Sequence, residues 1–208
     1  MRYRPISFDR LAAELTERLL ALPGEERVRV AVDGAVGTGN LAADLASRLR
    51  VGGRPVLTVS TMDYLRPASL RFERGRTDPD ARYTDWLDES ALRREVLDPL
   101  APGGTGMVLP ALWDAERDRA TRQDRIMLPP GGVLIAHGEL LLGRGLEFDL
   151  TVHLAVSAGA LRRRLPESEH WALPAYQRYE AEVRPAEVAD VLVRTDDPRH
   201  PAVLERAA

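Results

Sequence analysis

Residues 28–41 read VRVAVDGAVGTGNL, a β-branched apolar run followed by a glycine-rich turn and an amphipathic stretch. In such a turn successive backbone N–H groups and the first turn of the next helix converge on phosphate oxygens, and glycine permits the close approach. The pattern that does this is G-x-x-x-x-G-K-[ST]. Gly34 and Gly39 keep its spacing, with Gly37 and Thr38 between them, but Asn40 and Leu41 stand where the lysine and the hydroxyl belong. The lysine would reach the β and γ phosphates and the hydroxyl would ligate Mg²⁺. Loss of one preorganised charge stabiliser costs roughly 10² to 10³ in rate. Two other readings exist. Gly37-Thr38-Gly39-Asn40-Leu41-Ala42 fits the dinucleotide fingerprint G-x-G-x-x-[GA], although Asp33 and Gly34 already interrupt the strand and no acidic residue ends the next strand to hold a ribose. The third is a strand-to-helix turn without a ligand.

The elements that must position this loop follow from periodicity. Ser7–Leu22 places Phe8, Leu11, Leu15, Leu19 and Leu22 at helical spacing, with Ser7 as N-cap and Pro23-Gly24 as the stop. Val28–Val32 reads as a strand, Asn40–Leu49 as a helix and Val56–Ser60 as a second strand, which makes a βαβ unit with a right-handed crossover. A helix is expected near Glu89–Leu100, short extended pieces at Met107–Leu109 and Arg125–Leu128, and buried strands at Val133–Ala136 and Asp149–Val156. Ser157 caps a basic helix that Pro166 ends. A further helix spans about Pro174–Glu182, and Val191–Arg194 is a last strand. Trp86 and Trp113 flank the helix near 89–100 and are expected to pack on it.

At 208 residues the chain suits one α/β domain spanning 1–208. No stretch is apolar enough to span a membrane, MRYRPISFDRL lacks the apolar core of a secretory signal, and there are no cysteines. A cytoplasmic protein is the expectation. The net charge of −3 argues against a broad nucleic-acid surface. Every basic residue is arginine, which leaves an asparagine at position 40 unexplained by drift from lysine to arginine.

Further pieces occur in order along the chain. AVDG at 31–34 is followed by MDYLRP at 62–67, DPDARY at 78–83 and IAHGELLL at 135–142, and then by ALRRRL at 160–165, RYEAEVRP at 178–185 and ADVLV at 189–193. This series resembles the uridine kinase family, particularly its divergent actinobacterial-type members. The resemblance implies a three-layer P-loop kinase-like α/β domain with a central parallel sheet, a phosphate loop at 33–41, and lid or substrate segments at about 61–88 and 160–185. It also implies phosphorylation of a nucleoside such as uridine or cytidine at its 5′-hydroxyl, with ATP as donor, a nucleoside or nucleotide partner and a possible homo-oligomer.

Family roles transfer residue by residue. Gly34, Gly37, Thr38, Gly39, Asn40 and Leu41 occupy the phosphate loop. The general-base aspartate aligns with Met62, so Asp63 is the catalytic candidate after a shift of one residue. Tyr64, Arg66, Asp78, Asp80 and Tyr83 lie where the family holds its nucleoside, although turn chemistry around Pro79 also explains the two aspartates. Arg162, Arg163 and Arg164 match the lid arginines that clamp phosphates, or form a solvated helix face. The strand that should end Asp-Gly ends His137-Gly138, and no metal ligand is assigned. His153 and His170 have no partners at metal-ligand spacing and receive no role. Asn40, Leu41, Met62 and His137 together remove the cation, the metal hydroxyl, the base and a metal anchor. Catalysis is therefore expected to be weak or lost, and the alternative is a non-catalytic binder of a nucleotide or phosphorylated ligand that acts through a partner.

Overall fold

The computed structural model describes residues 2–205. Strand β1 spans Arg2–Pro5, β2 Val28–Asp33, β3 Val56–Ser60, β4 Val133–Gly138, β5 Leu150–Ala155, β6 Val191–Arg194 and β7 Ala202–Glu205. They form one sheet in the order β1-β7-β6-β5-β2-β4-β3. From β3 to β6 all neighbours are parallel, whereas β7 runs antiparallel to both β6 and β1. The chain leaves β2 for the edge strand β3, returns to β4, then passes β2 to reach β5. Such a reversal opens a crevice at the carboxyl ends of the strands, and here it falls at β2.

Every residue of β2 is buried, as expected of a central strand covered on both faces. Val28, Val30 and Val32 join Val133, Ile135, Val152 and Leu154 beneath helices α1 (Phe8–Leu20) and α2 (Thr38–Val51). On the other face Ala31, Leu134 and Ala136 pack with Leu92, Val96 and Leu97 and with Tyr64, Tyr176 and Tyr179. Helix α3 (Ala158–Arg164) and helix α4 (Leu173–Glu182) follow β5.

Most boundaries follow the sequence patterns. Ser7 Oγ accepts from Arg10 N at 3.1 Å and caps α1. Helix α2 begins at Thr38, two residues before the expected start, because Gly37 takes a left-handed conformation (φ 85°) and caps it. The helix expected at 89–100 is α-helical only over Glu89–Leu92. It continues as a π turn over Arg93–Leu97 and a 3₁₀ turn over Asp98–Leu100. Pro99 has no N–H to give the Glu95 carbonyl, which accepts from Leu109 N at 3.1 Å instead. Trp86 packs edge-on to Phe72 and tilted against Trp171, with ring centroids at 5.7 and 5.8 Å. Trp113 Nε1 donates to Asp118 Oδ1 at 3.1 Å across a tight hairpin. Strands β1 and β7 and this hairpin carried no period-2 pattern long enough to read.

One polar cluster sits inside this apolar frame. Asp33, fully buried at the end of β2, accepts from Leu141 N at 2.8 Å through Oδ1. Its Oδ2 meets His153 Nδ1 at 2.7 Å and Tyr179 OH at 2.9 Å. Tyr179 OH accepts from Leu142 N at 2.9 Å, so its own proton goes to Asp33. Burial opposes the charge on His153, but the hydrogen bonds to and charges of Asp33 and Glu180 outweigh it and raise the imidazole pKa from 6.5 to about 9.

Two stability measurements test this packing. Leu45, wholly buried on α2, should cost about 2–5 kcal/mol when changed to alanine, seen as a lower urea midpoint at unchanged slope. His153 holds its proton more tightly folded than unfolded. Its contribution is therefore fully present below pH 6.5 and is lost as pH rises through about 9. Urea titrations across that window should show a fall on the order of 3 kcal/mol that His153→Gln abolishes.

Candidate functional site

A cleft of about 490 Å³ opens at the carboxyl ends of β2 and β4. One wall is the turn Gly34–Gly39. Gly37, which caps α2, also sets the direction of the first-turn amides of Thr38 and Gly39, which have no i−4 partner inside the helix. The first glycine of the dinucleotide fingerprint is thus a helix cap and does not end the strand, whereas Gly34 follows β2 directly. Asn40 and Leu41 do not line this cleft. They line a flanking pocket of about 360 Å³ with Phe8, Val36, Asp44, Arg164 and Pro198.

Below the turn, His137, next to last in β4, faces Gly39: a Cβ added at Gly39 would lie 3.5 Å from its Cε1. Burial holds the His137 pKa below the ordinary imidazole value, so at neutral pH this position offers an uncharged ring where a carboxylate is expected. Gly138 follows because nothing larger fits, since a Cβ there would come 1.8 Å from Thr61 Oγ1.

The facing wall is aromatic and ionic. Trp86 and Trp171 line it with Arg82, whose guanidinium lies 4.2 Å from the Trp86 ring centroid. Arg82 pairs with Glu139, and Tyr176 OH donates to the other Glu139 oxygen. Burial lowers the Arg82 pKa and raises that of Tyr176. Glu139 is thus a carboxylate inside the cleft that two neighbours already engage.

The expected substrate residues are spread around this cleft. Met62 lines it and is exposed, whereas Asp63 is absent from its lining; burial raises the Asp63 pKa and Asp114 adds to the rise. Tyr64 is fully buried with its hydroxyl donating to the Leu109 carbonyl, and burial raises its pKa. Arg66 N donates to Trp86 O at 2.8 Å and its carbonyl accepts from Arg71 Nε at 2.6 Å. Asp78 caps the helix Pro79–Thr84 by accepting from Ala81 N at 2.7 Å. Asp80 pairs with Arg178 at 3.0 Å. Tyr83 lies under the guanidinium groups of Arg178 and Arg144, at 4.7 and 5.5 Å, so cations occupy the ring assigned to a base. Arg162 and Arg163 are exposed on α3, while Arg164 turns inward and donates to Thr195 O at 2.9 Å.

Arg82, Glu139, Trp171 and the Asp33–His153–Tyr179 cluster were not singled out by the sequence. Positions 33 and 153 are 120 residues apart, and only the register that sets Asp33 beside His153 on β2 and β5 unites them.

No protein-family model matches the sequence, and no curated protein matches it. Among solved structures the chain is similar to a possible uridine kinase from Bacillus stearothermophilus, with a TM-score of 0.70 and 20% identity over 87% of this chain and 96% of that one. It is also similar to a putative fructose transport system kinase from Silicibacter sp. TM1040, with a TM-score of 0.59 and 24% identity over 88% and 95% of the two chains. Together with the glycine turn between β2 and α2 and the mostly parallel sheet, these similarities give the chain the P-loop kinase fold.

Proposed function

We propose that the chain is a nucleotide-binding protein of uridine kinase type whose phosphotransfer is weak or lost. The observation that carries this reading is the split within the loop at 34–41. Its backbone keeps the glycine turn and the first-turn amides that attract phosphate, whereas Asn40 and Leu41 stand where the lysine and the metal-binding hydroxyl belong. A phosphate chain fits the turn, and the flanking pocket between Phe8, Leu41, Arg164 and Pro198 offers room for the base of ATP.

Magnesium does not fit. It demands oxygen ligands in near-octahedral geometry, but position 41 is leucine and position 137 presents a neutral imidazole. A base is equally hard to find, because Met62 lines the cleft with a thioether and Glu139 is held by Arg82 and Tyr176. Trp86 and Trp171 support a nucleoside or another ring as the second ligand, by stacking. A partner that reads the nucleotide-bound state is the role left to a protein that binds without turnover.

Phosphotransfer from labelled ATP to uridine and cytidine, followed beside thermal shifts, tests both halves of the reading. ATP at about 100 times its Kd should stabilise the native chain by about 2.7 kcal/mol. Labelled product should stay at background, and the Asn40→Lys, Leu41→Thr double variant should gain transfer. Robust native turnover overturns the loss of catalysis, and no thermal shift with ATP, GTP or UMP overturns nucleotide binding.

A further inference from the structure

The spaces on the two sides of the glycine turn differ in charge. Val36 and Gly37 border both, so a ligand on the turn reaches from one to the other. On the flanking side Arg164 Nη1 donates to the Thr195 carbonyl at 2.9 Å, and no carboxylate pairs with this guanidinium among the described residues. Asp44, on the same side, is already paired with Arg48 at 2.9 Å.

The cleft side is the reverse. Its charged lining, among the described residues, consists of Arg82, Glu139 and Glu169. Arg82 and Glu139 cancel one another, which leaves the charge of Glu169. Burial lowers the Arg82 pKa and raises that of Tyr176, and the Glu169 charge acts on both, opposing the first shift and adding to the second. Burial keeps His137 uncharged at neutral pH, and position 40 is asparagine, so neither offsets that carboxylate.

Phosphates must be placed along this gradient. The start of α2 supplies about half a positive charge. With the base in the flanking pocket, the first phosphate of a nucleotide rests on the turn beside the Arg164 side. There a monoester carries a charge of about −1.5 to −2. A second and a third phosphate are further anions, and they run past the turn into the cleft toward Glu169. Screening in an open cleft weakens the repulsion but does not reverse its sign. We infer that the site selects nucleoside monophosphates over di- and triphosphates, with Glu169 setting the order. Selection of this kind presupposes the nucleotide binding proposed above and is the opposite of what a phosphoryl-donor site requires.

Calorimetric titration of the full chain in EDTA with the adenosine and uridine mono-, di- and triphosphates tests the order. In a series that binds, each added phosphate should raise Kd about threefold, so that the triphosphate binds about tenfold more weakly than the monophosphate. The Glu169 side chain is exposed and makes no hydrogen bond among the described residues, so Glu169→Gln keeps the fold. That variant should tighten the triphosphate about threefold and leave the monophosphate within about 1.5-fold. Affinity that stays flat or rises with phosphate number in a series that binds, or an unchanged triphosphate Kd in Glu169→Gln, overturns the selection and leaves nucleotide binding standing. Absence of binding by every nucleotide of both series overturns the two together.

Discussion

The buried carboxylate of Asp33 is the constraint around which the centre of the molecule is arranged. A charge in a strand covered on both faces is tolerable only when all its acceptor sites are used, and this one takes protons from Leu141 N, His153 and Tyr179. Those partners tie together the segment after β4, strand β5 and helix α4. Gly34 comes next in the chain, so the phosphate turn starts from a fixed point. Removal of one partner would leave the carboxylate underbonded in an apolar interior, which makes the cluster costly to dismantle by steps.

The turn and its chemistry rest on different parts of the polypeptide. Anion binding at a helix start comes from backbone amides and from glycines that let the backbone approach, and it survives the replacement of nearly any neighbouring side chain. Transfer of a phosphoryl group needs particular side chains for charge, metal and proton. In this chain Gly34, Gly37 and Gly39 form the turn, and under the proposed function the second set is replaced at residues 40, 41, 62 and 137. The cleft is not thereby empty of charge. Arg82 and Glu139 neutralise one another beside Trp86, which leaves an aromatic wall with a guanidinium packed on it.

What the sequence disclosed depended on how locally each feature is encoded. The βαβ unit, the cap at Ser7 and the strands at 56–60 and 191–194 are short-range patterns, and they were read to within a residue or two. The helix near 89–100 follows from its cap candidates Asp88 and Ser90 and its Pro102-Gly103-Gly104 stop, none of which discloses the π and 3₁₀ turns into which it passes before Ala101. Asp78 illustrates ambiguity of role, because the residue types that hold a ribose also cap a helix, and here the side chain caps one. The Asp33–His153–Tyr179 cluster and the Arg82–Glu139 pair were not legible, since each is made by register and packing between distant segments.

Strand β1 has a consequence for how the molecule meets others of its kind. It forms an outer edge of the sheet, added antiparallel through β7, and within four residues it carries Arg2, Arg4 and Pro5. Charges and a residue without an N–H discourage an incoming chain from adding another strand. The ribbon of β1 and β7 thus acts as a stop that shields the parallel strands from templating growth in trans on that side.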